Sequence, residues 1–85
     1  MKIIVHYLAI AHAINKAVQE CGNYRLAPNV FKRANSNLKL LVGGSYTLTL
    51  KASADTTAIV EFGNVKYYLY YDYINKVYVC EKFKL

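Results

Sequence analysis

The first part of the chain carries a helical pattern of apolar positions. Between residues 2 and 21, apolar side chains recur at the i, i+4, i+7 spacing of one helix face, namely Ile3, Tyr7, Ile10, Ile14, Ala17 and Cys21, widened by Ile4, Leu8, Ala11 and Val18. The opposite face collects Lys2, His6, Ala13, Lys16 and Glu20. Gly22 follows the last of these positions, where glycine readily adopts the left-handed conformation that ends a helix. The pattern predicts one amphipathic helix of about five turns.

After Gly22 the chain shows the alternation that is typical of strands. Apolar and polar side chains alternate through residues 38–42 and 46–52, and residues 59–62, 65–73 and 77–83 are rich in aromatic and β-branched side chains. Residues 25–34 are predicted to form a first strand that Pro28 bends or delays. Turns are predicted at residues 53–57, 63–64 and 75–76.

One helix followed by four or five antiparallel strands is an α+β arrangement, in which the helix packs across one face of the sheet. The 85 residues are enough for one domain, residues 1–85, and a composition that is 55% apolar excludes a disordered chain. No apolar run reaches the roughly 18 residues that a membrane span needs. The N-terminal segment faintly resembles a signal peptide, but His6 and His12 interrupt its apolar stretch. We predict that it belongs to the folded domain, and the localisation stays open.

The net charge of +6 comes from eleven Lys and Arg against five Asp and Glu. The basic residues are scattered along the chain, and only Lys32 and Arg33 are adjacent. A solvated surface is therefore favoured over an anion-binding patch, although this charge would attract acidic partners.

The side chains that could perform chemistry do not form a catalytic or metal-binding set. Cys21 and Cys80 could close one long disulfide loop, but two separate thiols are favoured. His12 and Cys21 lie nine residues apart, about half a turn from each other on the helix, and His6 and His12 miss the i, i+4 spacing of a helical metal site. The five carboxylates are isolated. The sequence thus predicts a protein that is not an enzyme and has no metal or cofactor.

Six of the nine tyrosines fall between residues 67 and 78. On a strand Tyr68 and Tyr70 share one face, whereas Tyr67, Tyr71 and Tyr73 share the other. Both faces of the sheet are therefore aromatic, and one of them must lie away from the helix. Cross-strand aromatic pairing on an exposed face explains this pattern. A surface for a partner protein, or a stacking platform for single-stranded nucleic acid, explains it as well.

Two glycines separate the alternating segments at residues 38–42 and 46–52. In the sequence Leu40-Leu41-Val42-Gly43-Gly44 they permit a tight hairpin. Leu41 and Val42 would then be exposed at its tip, where they could insert into a partner. A plain β-hairpin turn explains the glycines equally well.

These residues resemble the Gln-x-Val-x-Gly hairpin of cystatins, a family of reversible inhibitors of papain-like cysteine proteases. Val42 and Gly44 stand in the positions of its valine and last glycine. Asn15-Lys16-Ala17 also resembles a stretch near the end of the cystatin helix. The resemblance covers residues 8–85 with a short insertion at residues 23–28, and it implies a sheet wrapped across one helix.

The resemblance implies a protein that occludes the cleft of a papain-like cysteine protease. The implied contacts are the first hairpin, with Leu40, Leu41, Val42, Gly43 and Gly44, and a second hairpin, with Tyr73 and Ile74 in the place of the family's Pro-Trp. The hairpin glutamine is replaced by Leu40, tryptophan is missing, and the family's N-terminal trunk is expected to be missing too. Such changes remove binding anchors and would weaken binding by several orders of magnitude.

The alternative is a module of the same fold that binds a different protein through its tyrosine-rich sheet. Binding of nucleic acid through lysines and tyrosines is the least favoured function. Long strands with exposed edges could also pair between copies of the chain, as a sheet-extended or domain-swapped dimer.

Overall fold

Two helices precede a four-stranded sheet in the structure, a computed structural model that describes residues 6–42 and 48–83. Helices α1 (His6–Cys21) and α2 (Pro28–Val42) are followed by strands β1 (Thr49–Ala54), β2 (Thr57–Phe62), β3 (Val65–Asp72) and β4 (Val77–Lys82). The strands are antiparallel and lie in the order β1-β2-β3-β4. The predicted α+β class is confirmed, with two helices where the sequence predicted one. Neither of these helices is long and apolar enough to cross a bilayer.

Helix α1 ends where the sequence predicts. Gly22 follows its last residue with a φ of 65°, the left-handed conformation in which glycine ends helices. Its fully buried side chains are Ile10, Ala13, Ile14 and Ala17. The sequence placed Ala13 on the polar face, and this is wrong, because Asn37 of the unpredicted α2 packs there and donates a hydrogen bond to the Ala13 carbonyl. Residues 2–5 of the predicted helix lie outside the described residues.

Helix α2 occupies the region that the sequence assigned to strands at residues 25–34 and 38–42, and that prediction is wrong. Pro28 is the first residue of the helix, a position that proline favours because the N–H there has no partner within the helix. The buried side chains Val30, Ala34 and Leu38 recur every four residues, which is the spacing of a helix face. The alternation at residues 38–42 rests on three apolar positions, too few to outweigh this longer helical repeat.

The segment predicted as the first hairpin belongs in part to the last turn of α2. Leu40, Leu41 and Val42 are helical, and Leu40 and Leu41 are 83% and 46% exposed. Gly43 and Gly44 lie outside the described residues. The prediction of a hairpin strand at residues 40–42 is therefore wrong, because the hydrogen bonds of the helix fix the backbone of these residues.

Strands β2, β3 and β4 closely follow the predicted strands. The turns between them also lie where predicted, with left-handed φ values of 58° at Gly63, 66° at Asn64 and 58° at Lys76. Strand β1 extends beyond its predicted end, and a bulge shifts its register against β2 between Leu50 and Ala52. The aromatic and β-branched content of these segments therefore predicts the three strands well, whereas the alternation at residues 38–42 wrongly predicts a strand within α2.

The helices cover one face of the sheet. The inward side chains, all at most 4% exposed, are Ala58, Val60, Phe62, Leu69, Tyr78 and Cys80. Tyr67 is buried on the same face, whereas Tyr68 and Tyr70 stack on the other face with ring centroids 5.6 Å apart. The predicted division of these tyrosines between the two faces is thus confirmed.

Two asparagines clamp the helices to the two edges of the sheet. Asn15 of α1 accepts a hydrogen bond from the Tyr78 N–H (2.7 Å) and donates one to the Tyr78 carbonyl (3.0 Å). Asn35 of α2 makes the same pair of bonds with Leu48, the residue before β1, at 2.7 and 3.2 Å. Each side-chain amide satisfies a backbone N–H and carbonyl that no neighbouring strand reaches.

A polar contact links the two helices and shows that they run antiparallel. Arg33 of α2 donates hydrogen bonds of 3.1 and 2.9 Å to the Glu20 carboxylate near the end of α1. Asn37, further along α2, donates to Glu20 (3.1 Å) and back to the Ala13 carbonyl (3.4 Å). The hydrogen bonds from Arg33 and Asn37 lower the pKa of Glu20 to about 2.

Replacing Asn15 with alanine should destabilise the protein by about 2 kcal/mol, because the change removes two hydrogen bonds and leaves the Tyr78 backbone groups without partners. Urea unfolding followed by circular dichroism should show a lower midpoint with an unchanged slope. Gln19→Ala, at an exposed position of the same helix, is the matched control and should cost less than about 0.5 kcal/mol. Equal effects of the two substitutions would contradict the clamp.

Stability should fall more steeply in the wild type than in Glu20→Gln as the pH is lowered from 4.5 toward 2. The folded-state pKa of Glu20, about 2, lies below the value of 4.5 for an unpaired glutamate, so the unfolded chain takes up the proton first. The stabilisation is therefore complete above pH 4.5 and disappears as the pH falls through 2. Urea midpoints measured at several pH values test this. Parallel profiles for the two proteins would show that Glu20 is not responsible.

Candidate functional site

The turn between β3 and β4 contains two of the predicted contact residues and is held by hydrogen bonds to Asp72. Tyr73 and Ile74 lie in this turn and are 67% and 91% exposed. The Asp72 carboxylate accepts hydrogen bonds from the Ile74 and Asn75 N–H groups (2.9 and 3.2 Å) and from the Asn75 side-chain amide (2.8 Å). These hydrogen bonds lower the pKa of Asp72, and the bond from the Asn75 side chain has the largest effect. A hairpin is thus present at residues 72–76, where the sequence predicted the second hairpin, with an apolar side chain at its tip.

Four tyrosine rings, which we call the tyrosine cluster, pack together beside this turn. Tyr71 is their centre, and its ring centroid lies 4.9 Å from that of Tyr73, 5.0 Å from that of Tyr78 and 5.5 Å from that of Tyr24. The contacts with Tyr73 and Tyr78 are edge-on, which suits the aromatic quadrupoles. Tyr24 belongs to the loop between α1 and α2, so the cluster joins the helical layer to the sheet.

Hydrogen bonds hold the neighbouring loops at the same end of the molecule. The Tyr78 hydroxyl donates to the Tyr24 carbonyl, and the Leu26 N–H donates to the Asp55 carbonyl in the β1–β2 turn (3.0 Å). The α1–α2 loop, the β1–β2 turn and the β3–β4 turn therefore converge around the tyrosine cluster. Rings that are fixed in this way present a preformed surface to a ligand.

A cavity of about 220 Å³ opens in this cluster, lined by Tyr24, Tyr71, Tyr73 and Lys76. The Lys76 ammonium forms no ion pair with any residue that the structure describes. The Arg25 guanidinium lies 5.9 Å from the ring centroid of Tyr24 and forms an exposed ion pair with Asp55 at 3.5 Å. An aromatic wall beside an unpaired cation suits a ligand that joins an apolar group to an anionic one.

The predicted protease contacts are not brought together. Tyr73 lines one cavity with Tyr24 of the α1–α2 loop, which precedes the first turn of α2, whereas Leu40 and Leu41 lie in the last turn of that helix. With a rise of about 1.5 Å per residue, Leu40 is about 18 Å from Pro28 along the helix axis. Among the described residues, Leu40 and Leu41 are therefore at the far end of α2 from Tyr73, and they do not form one continuous wedge with it.

The structure also locates the residues that could perform metal or thiol chemistry. Within residues 6–42 and 48–83, no three His, Cys, Asp or Glu side chains are grouped so that they could hold a metal ion. Cys21 and Cys80 are free thiols, as the sequence favoured. Burial raises the pKa of Cys80 to about 12, so its sulfur stays protonated and packs as a core side chain.

The sequence predicts Tyr73 and Ile74 as contact residues, but it does not single out Tyr24 and Lys76, which line the cavity with Tyr73. Tyr24 lies three residues after the end of α1, in the segment at residues 23–28 that the resemblance implies is an insertion. Its backbone carbonyl meets the Tyr78 hydroxyl across 54 positions of sequence. The only local signal was an aromatic–basic pair, Tyr24 and Arg25, just after a helix end. No pattern of neighbouring residues records a contact over that distance.

Stability should decline between pH 10 and 12 and should decline less in Tyr78→Phe. Burial, with the nearby Tyr71 adding to it, raises the pKa of Tyr78 from 10.0 to about 12. Because the folded-state value is the higher one, the stabilisation is complete below pH 10 and is lost as the pH rises through 12. Urea midpoints at alkaline pH measure the effect. Tyr68→Phe, outside the cluster, is the control and should decline as the wild type does; an equally steep decline in Tyr78→Phe would contradict this assignment.

Comparisons of the chain with protein-family models, with curated proteins and with solved structures find no match. The cystatin resemblance thus stays a prediction that rests on sequence motifs. Of the residues that carry it, Asn15, Lys16 and Ala17 lie within α1, and Val42 is the last residue of α2. The function is therefore inferred from the tyrosine cluster and its cavity.

Proposed function

We propose that this protein is a binding protein that recognises a partner protein through the tyrosine cluster and the tip of the β3–β4 turn. The proposal is carried by the cavity between Tyr24, Tyr71 and Tyr73, which has the Lys76 ammonium at its edge. The bound segment places an aromatic or branched apolar side chain in the cavity and pairs a neighbouring carboxylate with Lys76. Ile74, which is 91% exposed, adds an apolar contact at the rim.

The chemistry of this surface supports a role in protein recognition. Tyrosine supplies a large contact area at a low entropic cost, because its side chain has only two rotatable torsions. The β3–β4 turn is held by Asp72, so little conformational freedom remains to be lost on binding. The net charge of +6 attracts acidic partners from a distance and speeds their encounter with the protein.

Inhibition of papain-like cysteine proteases stays a prediction for the same surface. Tyr73 and Ile74 are exposed on a turn, a form that can enter a protease cleft. Leu40 and Leu41, at the other end of α2, cannot enter that cleft at the same time. Inhibition through one hairpin would use only part of the contact surface that the resemblance implies, and it would be correspondingly weak.

A short synthetic peptide that contains Glu-Phe between Gly and Ser residues should bind at the tyrosine cluster with a Kd of about 1 mM, the affinity of a contact worth about 4 kcal/mol. Titration followed by amide chemical shifts should perturb Tyr24, Tyr71, Tyr73 and Lys76. Tyr73→Ala should weaken binding about tenfold through loss of one aromatic wall. Lys76→Gln should weaken it about threefold, since an exposed charge pair contributes less than about 1 kcal/mol.

Two matched controls make this titration specific. A peptide with Gln-Phe should bind the wild type as weakly as the Glu-Phe peptide binds Lys76→Gln. Lys32→Gln, which removes the same charge from α2, should leave the affinity unchanged apart from a small general effect of net charge. Chemical-shift changes confined to other surfaces, or equal binding of the two peptides, would overturn the proposed site.

The same variants separate protease inhibition from other binding. Papain activity is measured with increasing concentrations of the wild type, Ile74→Asp and Leu40→Asp. Inhibition that Ile74→Asp removes and Leu40→Asp retains would assign the protease contact to the β3–β4 turn. Inhibition that only Leu40→Asp removes would place the protease contact at the end of α2, and it would contradict the proposed surface.

A further inference from the structure

The outer face of the sheet carries aromatic and apolar side chains that no described residue covers. This outer face is formed by the outward side chains of the four strands, among them Ile59, Glu61, Lys66, Tyr68, Tyr70 and Val79. Tyr68 and Tyr70 stack on each other, and the Tyr70 hydroxyl donates to the Glu81 carboxylate (3.1 Å). Beside Tyr68 is a shallow hollow of about 220 Å³, lined by Ser53, Ala54, Thr57, Ala58, Ile59 and Tyr68. The stacked rings of Tyr68 and Tyr70 thus form a ridge beside this hollow.

The sheet edges are less open than this face. The Asn15 amide occupies the backbone N–H and carbonyl of Tyr78, which point away from β3 at the β4 edge. Asn35 occupies the same groups of Leu48 at the entry to β1, and a bulge interrupts β1 itself. These are ways in which proteins prevent strands from pairing edge to edge. Association between copies by sheet extension is therefore disfavoured relative to association through the outer face.

Charge divides the molecule into two unlike halves. Residues 6–42, which form the helical layer, contain five Lys and Arg and one Glu. Residues 48–83, which form the sheet, contain four Lys and four Asp and Glu. Two copies that met through their helices would repel each other, whereas the neutral sheets can approach without a net repulsion. The charge pattern therefore favours a second copy of this chain as the occupant of the outer face.

We propose that two copies pack outer face to outer face about a two-fold axis that runs along the strands, between β2 and β3. Such an axis exchanges the position of β2 with that of β3 across the interface. Glu61 and Lys66 are directly opposite each other on β2 and β3. The rotation therefore sets Glu61 of each copy against Lys66 of the other. At the spacing of about 10 Å between packed sheets, these two long side chains can meet.

The same rotation also brings together complementary shapes. Ile59 and Tyr68 are opposite each other on β2 and β3, so Tyr68 of one copy faces Ile59 of the other. The ridge formed by Tyr68 thereby enters the hollow lined in part by Ile59. A two-fold axis perpendicular to the strands would instead set Glu61 against Thr57 and leave both sets of charges unpaired. The strand-parallel axis is the one that satisfies charge and shape together.

The area of the outer face sets the expected strength of the dimer. Four strands spaced about 4.8 Å apart, with about six residues each at about 3.3 Å, give a face of about 20 by 20 Å. With its side-chain relief such a face buries about 600 Å² on each copy, at the low end for specific complexes. We therefore expect a reversible dimer that forms at protein concentrations of about 10 to 500 μM.

Charge exchange between two variants tests the proposed pairing. Sedimentation equilibrium should show that Glu61→Lys alone and Lys66→Glu alone each dimerise at least about tenfold more weakly than the wild type, because every pair of copies then has two like-charge contacts. An equimolar mixture of the two variants should restore dimerisation. In the mixed dimer the introduced lysine meets the introduced glutamate at one contact, and the unchanged Lys66 of the first variant meets the unchanged Glu61 of the second at the other. The restored species should contain one copy of each variant, which native mass spectrometry of an isotope-labelled mixture can show.

The mixture separates contact between copies from effects within one copy. Either substitution also changes the cross-strand pair inside its own sheet, but mixing two folded variants cannot repair that pair. Lys32→Glu on α2 changes the net charge as Lys66→Glu does, and it should dimerise like the wild type. At about 1 mM protein, even a dimer contact worth about 4 kcal/mol would be half formed. If the wild type is still monomeric at that concentration, the proposal is overturned, and the outer face is left to water or to another partner. A mixture that associates no better than the single variants would overturn the proposed axis.

Discussion

The two asparagine clamps determine how the helical layer sits on the sheet. In a sheet of four strands, two strands are edge strands. The backbone N–H and carbonyl groups on their outer sides would face water or a strand of another molecule. Asn15 and Asn35 use one side-chain amide from each helix to satisfy these groups at opposite edges. The contacts fix the helices laterally, which apolar packing does only loosely because it has no direction. The tyrosine cluster depends on this placement, since Tyr24 reaches Tyr71 only from a correctly positioned loop.

The parts of the fold that sequence reasoning found are those whose pattern is local. The aromatic and β-branched side chains at residues 59–62, 65–73 and 77–83 predict three strands, and residues 63–64 and 75–76 predict the two turns between them. Helix α2 was missed because its polar residues include Asn35 and Asn37, which are poor helix formers and favour turns. In the fold these side chains are the clamp to β1 and the link to α1. These asparagines stabilise the fold through tertiary contacts. The sequence around them shows only their low helix propensity.

The tyrosines of the sheet differ in burial and contacts according to their positions along the strands. Tyr78 is buried and donates its hydroxyl to a distant carbonyl, and Tyr71 packs its ring against three others. Tyr73, beyond the end of the strand, is 67% exposed. Tyr70 and Tyr68 point to the outer side of the sheet. The period of two predicts which side each ring takes, but only the position of the loops decides which inward rings remain accessible.

The proposed dimer would change how the tyrosine cluster meets a partner. A two-fold axis along the strands leaves the β3–β4 turns of both copies at the same end, with the basic helical layers on the outside. The two cavities would then open in one direction, separated by a distance on the order of the sheet spacing plus the width of the turns, about 20 Å. A partner with two acidic–aromatic segments could occupy both, and the second contact would form at a high effective concentration. A weak contact at each cavity would thereby suffice for selective binding, which suits a site as small and open as this one.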